Sequence, residues 1–147
     1  MIRLANKFDI PKIFEMLRHY RDEGNVNGVN DIDEEKTPLQ IMTIILSGGG
    51  IALVAEKNNE TIGMLLAIKS PNLWDHKKFL MYEIAYYVLP EHRNSTAGYR
   101  LIKEYTKMCN KLVEDQQIER FTMTQMNGQN LSYDKFGLRP REVTWSS

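Results

Sequence analysis

Cysteine is nearly missing from this chain. Cys109 stands alone among 147 residues, so no disulfide framework can form and no Cys/His cluster of the usual metal-ligand spacing exists. That excludes a disulfide-stapled secreted domain and fits a reducing, cytoplasmic compartment. Net charge is missing as well: 19 basic residues face 19 acidic ones, which leaves no overall field to gather nucleic acid. No apolar run approaches the roughly 20 residues of a membrane span, and the N-terminal MIRLANKFDIPK has no secretory apolar core. Internal repeats and low-complexity tracts are also lacking.

What is there is ordinary globular composition, 42% hydrophobic and 26% charged. A chain of this length reads as one domain over residues 1–147, able to bury about two thirds of its unfolded surface. IRLA can open a sheet. Asp9 as N-cap, Pro11 in the first turn and Ile10, Ile13, Phe14, Leu17 and Tyr20 at helical spacing predict a first helix. Thr37-Pro38 predicts the cap and first residue of a second, which Gly48-Gly49-Gly50 stops. Two apolar runs around Asn58-Asn59 read as a central hairpin, and FLMYEIAYYVLP is the longest strand candidate. From Thr96 to Asp115 one apolar stripe, Ala97 to Val113, marks the plainest helix. IERFTMTQM reads as a strand, LSYDKFG as a short helix and REVTWSS as a final strand or tail. The order β-α-α-β-β-β-α-β-α-β predicts a mixed α/β sheet with helices on its faces.

Between the fourth strand and the stripe lies the turn Arg93-Asn94-Ser95-Thr96-Ala97-Gly98, small and free of bulk. A helix N-terminus presents unpaired N–H groups and partial positive charge, so this turn suits a phosphate, with Ser95 and Thr96 hydroxyls and the Arg93 cation in support. Plain helix capping by Ser, Thr or Asn is the other reading.

Val88-x-Pro90-Glu91-x-Arg93-x-x-Thr96-x-Gly98 resembles the acetyl-CoA signature of the GNAT acyltransferases, V-x-P-x-x-[QR]-x-x-G-x-[GA]. Tyr133-Asp134-Lys135-Phe136-Gly137-Leu138 is similar to that family's Y-x-K-x-G-F element, with Asn127 upstream near a common asparagine. The element order matches along nearly the whole chain, and the phrasing YEIAYYVLPEHRNSTAGYRL also resembles small GNAT proteins of bacteriophages. The resemblance implies a central twisted mixed sheet of six or seven strands flanked by about four helices. It implies that the fourth and fifth strands splay, that main-chain groups of Tyr87, Val88 and Leu89 meet the pantetheine arm, and that the amides of Asn94, Ser95, Thr96, Ala97 and Gly98 hold the pyrophosphate of acetyl-CoA. Tyr133 matches the tyrosine that protonates the leaving thiolate. The departure is Thr96, where the family has glycine: a β-branched residue resists positive φ, so a left-handed turn there would defeat binding, whereas a helical one would recruit the hydroxyl.

Direct attack by an amine needs a base, and Glu83 in the fourth strand stands where such enzymes often place a carboxylate. By alternation it shares a face with Met81, Ala85 and Tyr87. The plainer reading pairs it with a cation on a wet face. Tyr133 can likewise be a packing residue. Trp74 suits either an acceptor pocket or a plug for the sheet edge; His19, His76 and His92 read as surface positions, and Met108 and Cys109 as core. The acidic stretch RDEGNVNGVNDIDEEK favours a cationic acceptor or is simply a solvated loop. Only ten residues follow Gly137, which predicts an exposed sheet edge covered by a second copy. The resulting expectation is an acetyl-CoA-dependent N-acetyltransferase acting on a primary amine without metal. The rivals are a non-catalytic CoA- or partner-binding protein and a modifier of nucleic-acid bases, which a basic stripe of Lys69, Lys77, Lys78, Arg93 and Arg100 would favour.

Overall fold

The structure is a computed structural model that describes residues 1–24, 35–124 and 132–142. Five strands form one sheet in the order β1-β2-β3-β4-β5: β1 (Ile2–Leu4), β2 (Gly50–Lys57), β3 (Glu60–Pro71), β4 (Phe79–Val88) and β5 (Arg120–Thr122). All neighbours are antiparallel except β4 and β5, which run parallel. The helices are α1 (Ile10–Gly24), α2 (Lys36–Ile44) and α3 (Ala97–Glu114). None of the helices among the described residues is long and apolar enough to cross a membrane.

The continuous apolar runs of β2 and β3 are explained by helices on both faces of the sheet. Ile51, Leu53, Leu65, Ala67 and Met81 pack with Leu101, Ile102, Tyr105 and Cys109 of α3. Their alternates Ala52, Val54, Met64 and Leu66 pack with Ile13, Phe14 and Met16 of α1 and Met42 of α2. The hairpin turn is as predicted, with Asn58 at φ 50° and Asn59 at φ 63°, the left-handed pair that matches strand twist.

Several expectations are corrected. Among the described residues there are five strands and three α-helices, not six or seven strands with four helices. LSYDKFG supplies one 3-10 turn, Asp134–Phe136, because Gly137 at φ 78° turns the chain left-handed before a second turn can form. Arg141 and Glu142 of REVTWSS lie outside any strand, and residues 143–147 fall outside the described part. β5 has three residues rather than the nine of IERFTMTQM. The cap before α1 is Asn6, not Asp9: Asn6 accepts from Phe8 N–H while Asp9 accepts from Asn6 N–H, a reciprocal capping box over the turn Lys7–Asp9. Asp9 is thereby free to bind Arg3 with both oxygens at 2.8 Å. α2 starts at Lys36 with Glu35 as cap, each two residues ahead of the expected Pro38 start and Thr37 cap. A single π-turn, Ile45–Gly49, then ends that helix with Gly48 at φ 97°. Trp74 plugs nothing; it is 90% exposed.

Candidate active site

β4 and β5 pair only at Leu80–Arg120, Met81–Phe121 and Tyr82–Thr122. The pairing ends at Tyr82, where β5 stops, and beyond it the edge of β4 from Glu83 to Val88 pairs with no described strand. Facing β3, Leu66 meets Ala85 and Ala67 meets Glu83, so Ile84 is the extra residue of a β-bulge. The bulge corrects the face assigned to Glu83. Cross-strand partners share a face, and Ala67 belongs to the α3 side. Glu83 therefore lies with Met81 on the α3 side, while Ala85 and Tyr87 pack on the α1 side.

Just beyond the end of that pairing, two side chains are tied to one residue. Thr124 N–H donates to Glu83 Oε2 at 2.9 Å, and the Tyr133 hydroxyl donates to Thr124 C=O at 3.1 Å. Glu83 is 6% exposed, and burial pushes its carboxyl up to about 7 against the pull of the Thr124 N–H. Burial, with the nearby Glu83 charge, pushes the Tyr133 hydroxyl up to about 12. The first group can exchange a proton near neutrality; the second stays a neutral donor. Cys109 is buried under α3 and burial pushes its thiol up to about 12, so it supplies no thiolate nucleophile.

The turn before α3 answers the question posed by Thr96. Its backbone sits at φ −81°, ψ 0°, a conformation open to a β-branched residue. No left-handed residue is needed. Three amides of the turn are used internally: Arg93 N–H donates to Pro90 C=O, Ser95 N–H to His92 C=O, and Ala97 N–H to Ser95 Oγ, whose own hydroxyl donates to His92 C=O. Among the described residues the N–H groups of Asn94, Thr96, Gly98 and Tyr99 meet no acceptor, a converging set of donors at the positive end of α3. A Cβ at Gly98 would come 2.4 Å from the Tyr86 hydroxyl, so the end of that side chain would have to move to admit one.

The strand residues are only partly available. Leu89 N–H donates to Ile62 C=O at 2.9 Å, and Tyr87 faces Met64, so ladder alternation turns the main-chain groups of Tyr86 and Val88 to the open edge. The Val88 carbonyl accepts from Arg93 Nε at 2.9 Å. The Arg93 guanidinium, expected at the phosphate, also donates through Nη2 to both Glu23 oxygens at 2.9 and 2.7 Å. Asn127 lies outside the described residues. Sequence reasoning missed Thr124, which acts through its main chain and carries no side-chain signal, and Glu23, whose partners are 64 and 70 positions away.

Free amides at a helix start, a close-approach glycine, an open strand edge and a carboxyl–hydroxyl pair tied to Thr124 suit an acyl carrier with a pyrophosphate and an extended arm. A model of the Acetyltransferase (GNAT) family matches residues 13–134. No curated protein sequence matches the chain. Among solved structures, a predicted acetyltransferase from Clostridium acetobutylicum with acetyl-CoA is similar at TM-score 0.76 and 14% identity, with 100% of this chain and 94% of that one covered. A GCN5-related N-acetyltransferase from Ralstonia eutropha is similar at 0.76 and 14%, covering 100% and 97%. An aminoglycoside acetyltransferase from an uncultured soil metagenomic sample, in complex with sisomicin, is similar at 0.71 and 14%, covering 100% and 94%. These identities speak for the fold alone, and with the family match over most of its length the chain belongs to the GNAT family of acetyltransferases.

Proposed function

We propose that this protein transfers an acetyl group from acetyl-CoA to a primary amine in a ternary complex, with Glu83 as base and Tyr133 as acid. The observation that carries this is the pair of groups held on the two sides of Thr124, just beyond the end of the β4–β5 pairing. Acetyl-CoA supplies the acyl thioester. The free amides of Asn94, Thr96, Gly98 and Tyr99 bind its pyrophosphate, and the open edge at Tyr86 and Val88 receives its arm. The groove of about 840 Å³ that begins at Tyr99, rimmed by Lys103 and Lys135, takes the remaining phosphate end.

Glu83 accepts a proton from the amine. Its pKa of about 7 suffices because the nitrogen becomes much more acidic as its bond to carbon forms. An edge N–H of β4 stabilises the charge that develops on the carbonyl oxygen. Tyr133 turns its hydroxyl from the Thr124 carbonyl to the departing sulfur and gives up its proton. Thermal stabilisation by acetyl-CoA but not by free pantetheine, and thiol release with pooled amines, test the reading. The absence of any shift at saturating acetyl-CoA would sink it. Tyr133→Phe is expected to lower kcat by about 10²-fold with little change in acetyl-CoA affinity, measured by steady-state thiol release.

A nucleic-acid acceptor has less support. Of the basic stripe it requires, Arg93 is bound to Glu23, Lys78 to Glu119 and Lys69 lies over the Phe79 ring. Among the described residues β5 is the last strand of the sheet, and an edge of that kind suits cover by a second copy; sedimentation as a monomer at high concentration would count against that.

A further inference from the structure

We propose that Glu23 is a positioning residue for the cofactor turn, acting through Arg93, and that Arg93 is a strut rather than the cation that binds the pyrophosphate. The inference rests on the acetyl-CoA reading of that turn. Glu23 sits in the last turn of α1 and gathers three donors. Tyr87 donates its hydroxyl to Oε1 at 2.6 Å, and Arg93 Nη2 reaches both oxygens at 2.9 and 2.7 Å. Arg93 in turn donates to Val88 C=O through Nε and lies 5.1 Å above the Tyr87 ring centre, whose other neighbour is His19 of α1, stacked at 6.4 Å. The result is a closed circuit from α1 to the end of β4 and on to the first residue of the phosphate turn.

The circuit has two consequences. A planar guanidinium bound on both its Nε and Nη2 sides is fixed in direction, so residues 93 and 94 are held where the free amides converge. Its charge is also balanced by a carboxylate before any anion arrives, which leaves the amides and the helix terminus to attract phosphate.

The two roles of Arg93 give opposite signs. If Arg93 is a strut, Glu23→Gln loosens the turn and weakens acetyl-CoA binding by about fivefold, the scale of a half-exposed charge-assisted hydrogen bond. If Arg93 is a phosphate ligand restrained by Glu23, the same change frees a cation and tightens binding. Calorimetric titration of wild type, Glu23→Gln and Tyr87→Phe with acetyl-CoA distinguishes these, with Tyr87→Phe expected to show a smaller loss. Amide hydrogen exchange of the free proteins supplies a readout independent of the cofactor. Residues 92–99 are expected to exchange faster in Glu23→Gln while the β2–β3 hairpin is unchanged. Tighter binding, unchanged binding with unchanged exchange, or faster exchange throughout the sheet would each overturn the proposal. If wild type binds no acetyl-CoA, the functional reading fails, and the exchange result alone decides the strut.

Discussion

Glu83 concentrates the chemistry of single residues in this protein, because one carboxyl is placed where water is scarce and accepts a hydrogen bond from the Thr124 main-chain N–H. Its folded pKa of about 7 lies above the ordinary value of 4.5. Between those pH values the folded state holds a proton that the unfolded chain has released, so stability falls as pH rises through that window. The full difference corresponds to roughly 3 kcal/mol. Glu83→Gln is therefore expected to match wild type near pH 4.5 and to be the more stable of the two at pH 8, read from denaturant midpoints at both pH values. If the carboxylate is the base, the same variant loses the rising limb of kcat/KM near pH 7 and falls by about 10²-fold or more. Asp9 works in the opposite sense. Arg3 holds its carboxyl below 3.8, so its contribution is present above that value and is lost as pH falls through its folded pKa. Asp9→Asn is expected to lower stability at pH 7 by about 1–3 kcal/mol and to flatten the acid limb of the unfolding curve.

Among the elements, the start of α3 and the edge of β4 depend on each other. Tyr86 reaches from β4 to Gly98, so the helix can approach the strand only where no side chain intervenes. Gly98→Ala is expected to cost about 1–3 kcal/mol through overpacking and to weaken acetyl-CoA binding; Tyr86→Phe, which removes the overlapping oxygen, should recover part of both losses. Thermal melts with and without acetyl-CoA check this. Thr96→Gly tests the opposite intuition. Since Thr96 already sits at φ −81°, restoring the family's glycine relieves no strain. It should lower stability by about 0.5–1 kcal/mol through the freer unfolded chain, with no gain in affinity. The bulge at Ile84 is the other decisive element feature. One unpaired residue moves Glu83 to the α3 side of the sheet, a change that strict alternation cannot register.

At the scale of the whole molecule, the periodic patterns carried the reading of the sequence furthest. The apolar runs of β2 and β3, the Asn58-Asn59 turn and the α3 stripe are local signals, each repeated over several residues, and each appears in the fold where the pattern puts it. LSYDKFG was legible only in part, because it is too short for period to outweigh one glycine and forms a single 3-10 turn. What the residues determined by themselves was the layer order and the small, donor-rich turn at a helix start, because propensity and periodicity act between neighbours. Only the tertiary structure decided which face Glu83 occupies, that Thr124 ties it to Tyr133, and that Arg93 answers to Glu23. Those outcomes depend on a bulge, the end of the β4–β5 pairing and contacts between residues 9, 41 and 70 positions apart, and no local pattern encodes which partner a residue meets at such separations.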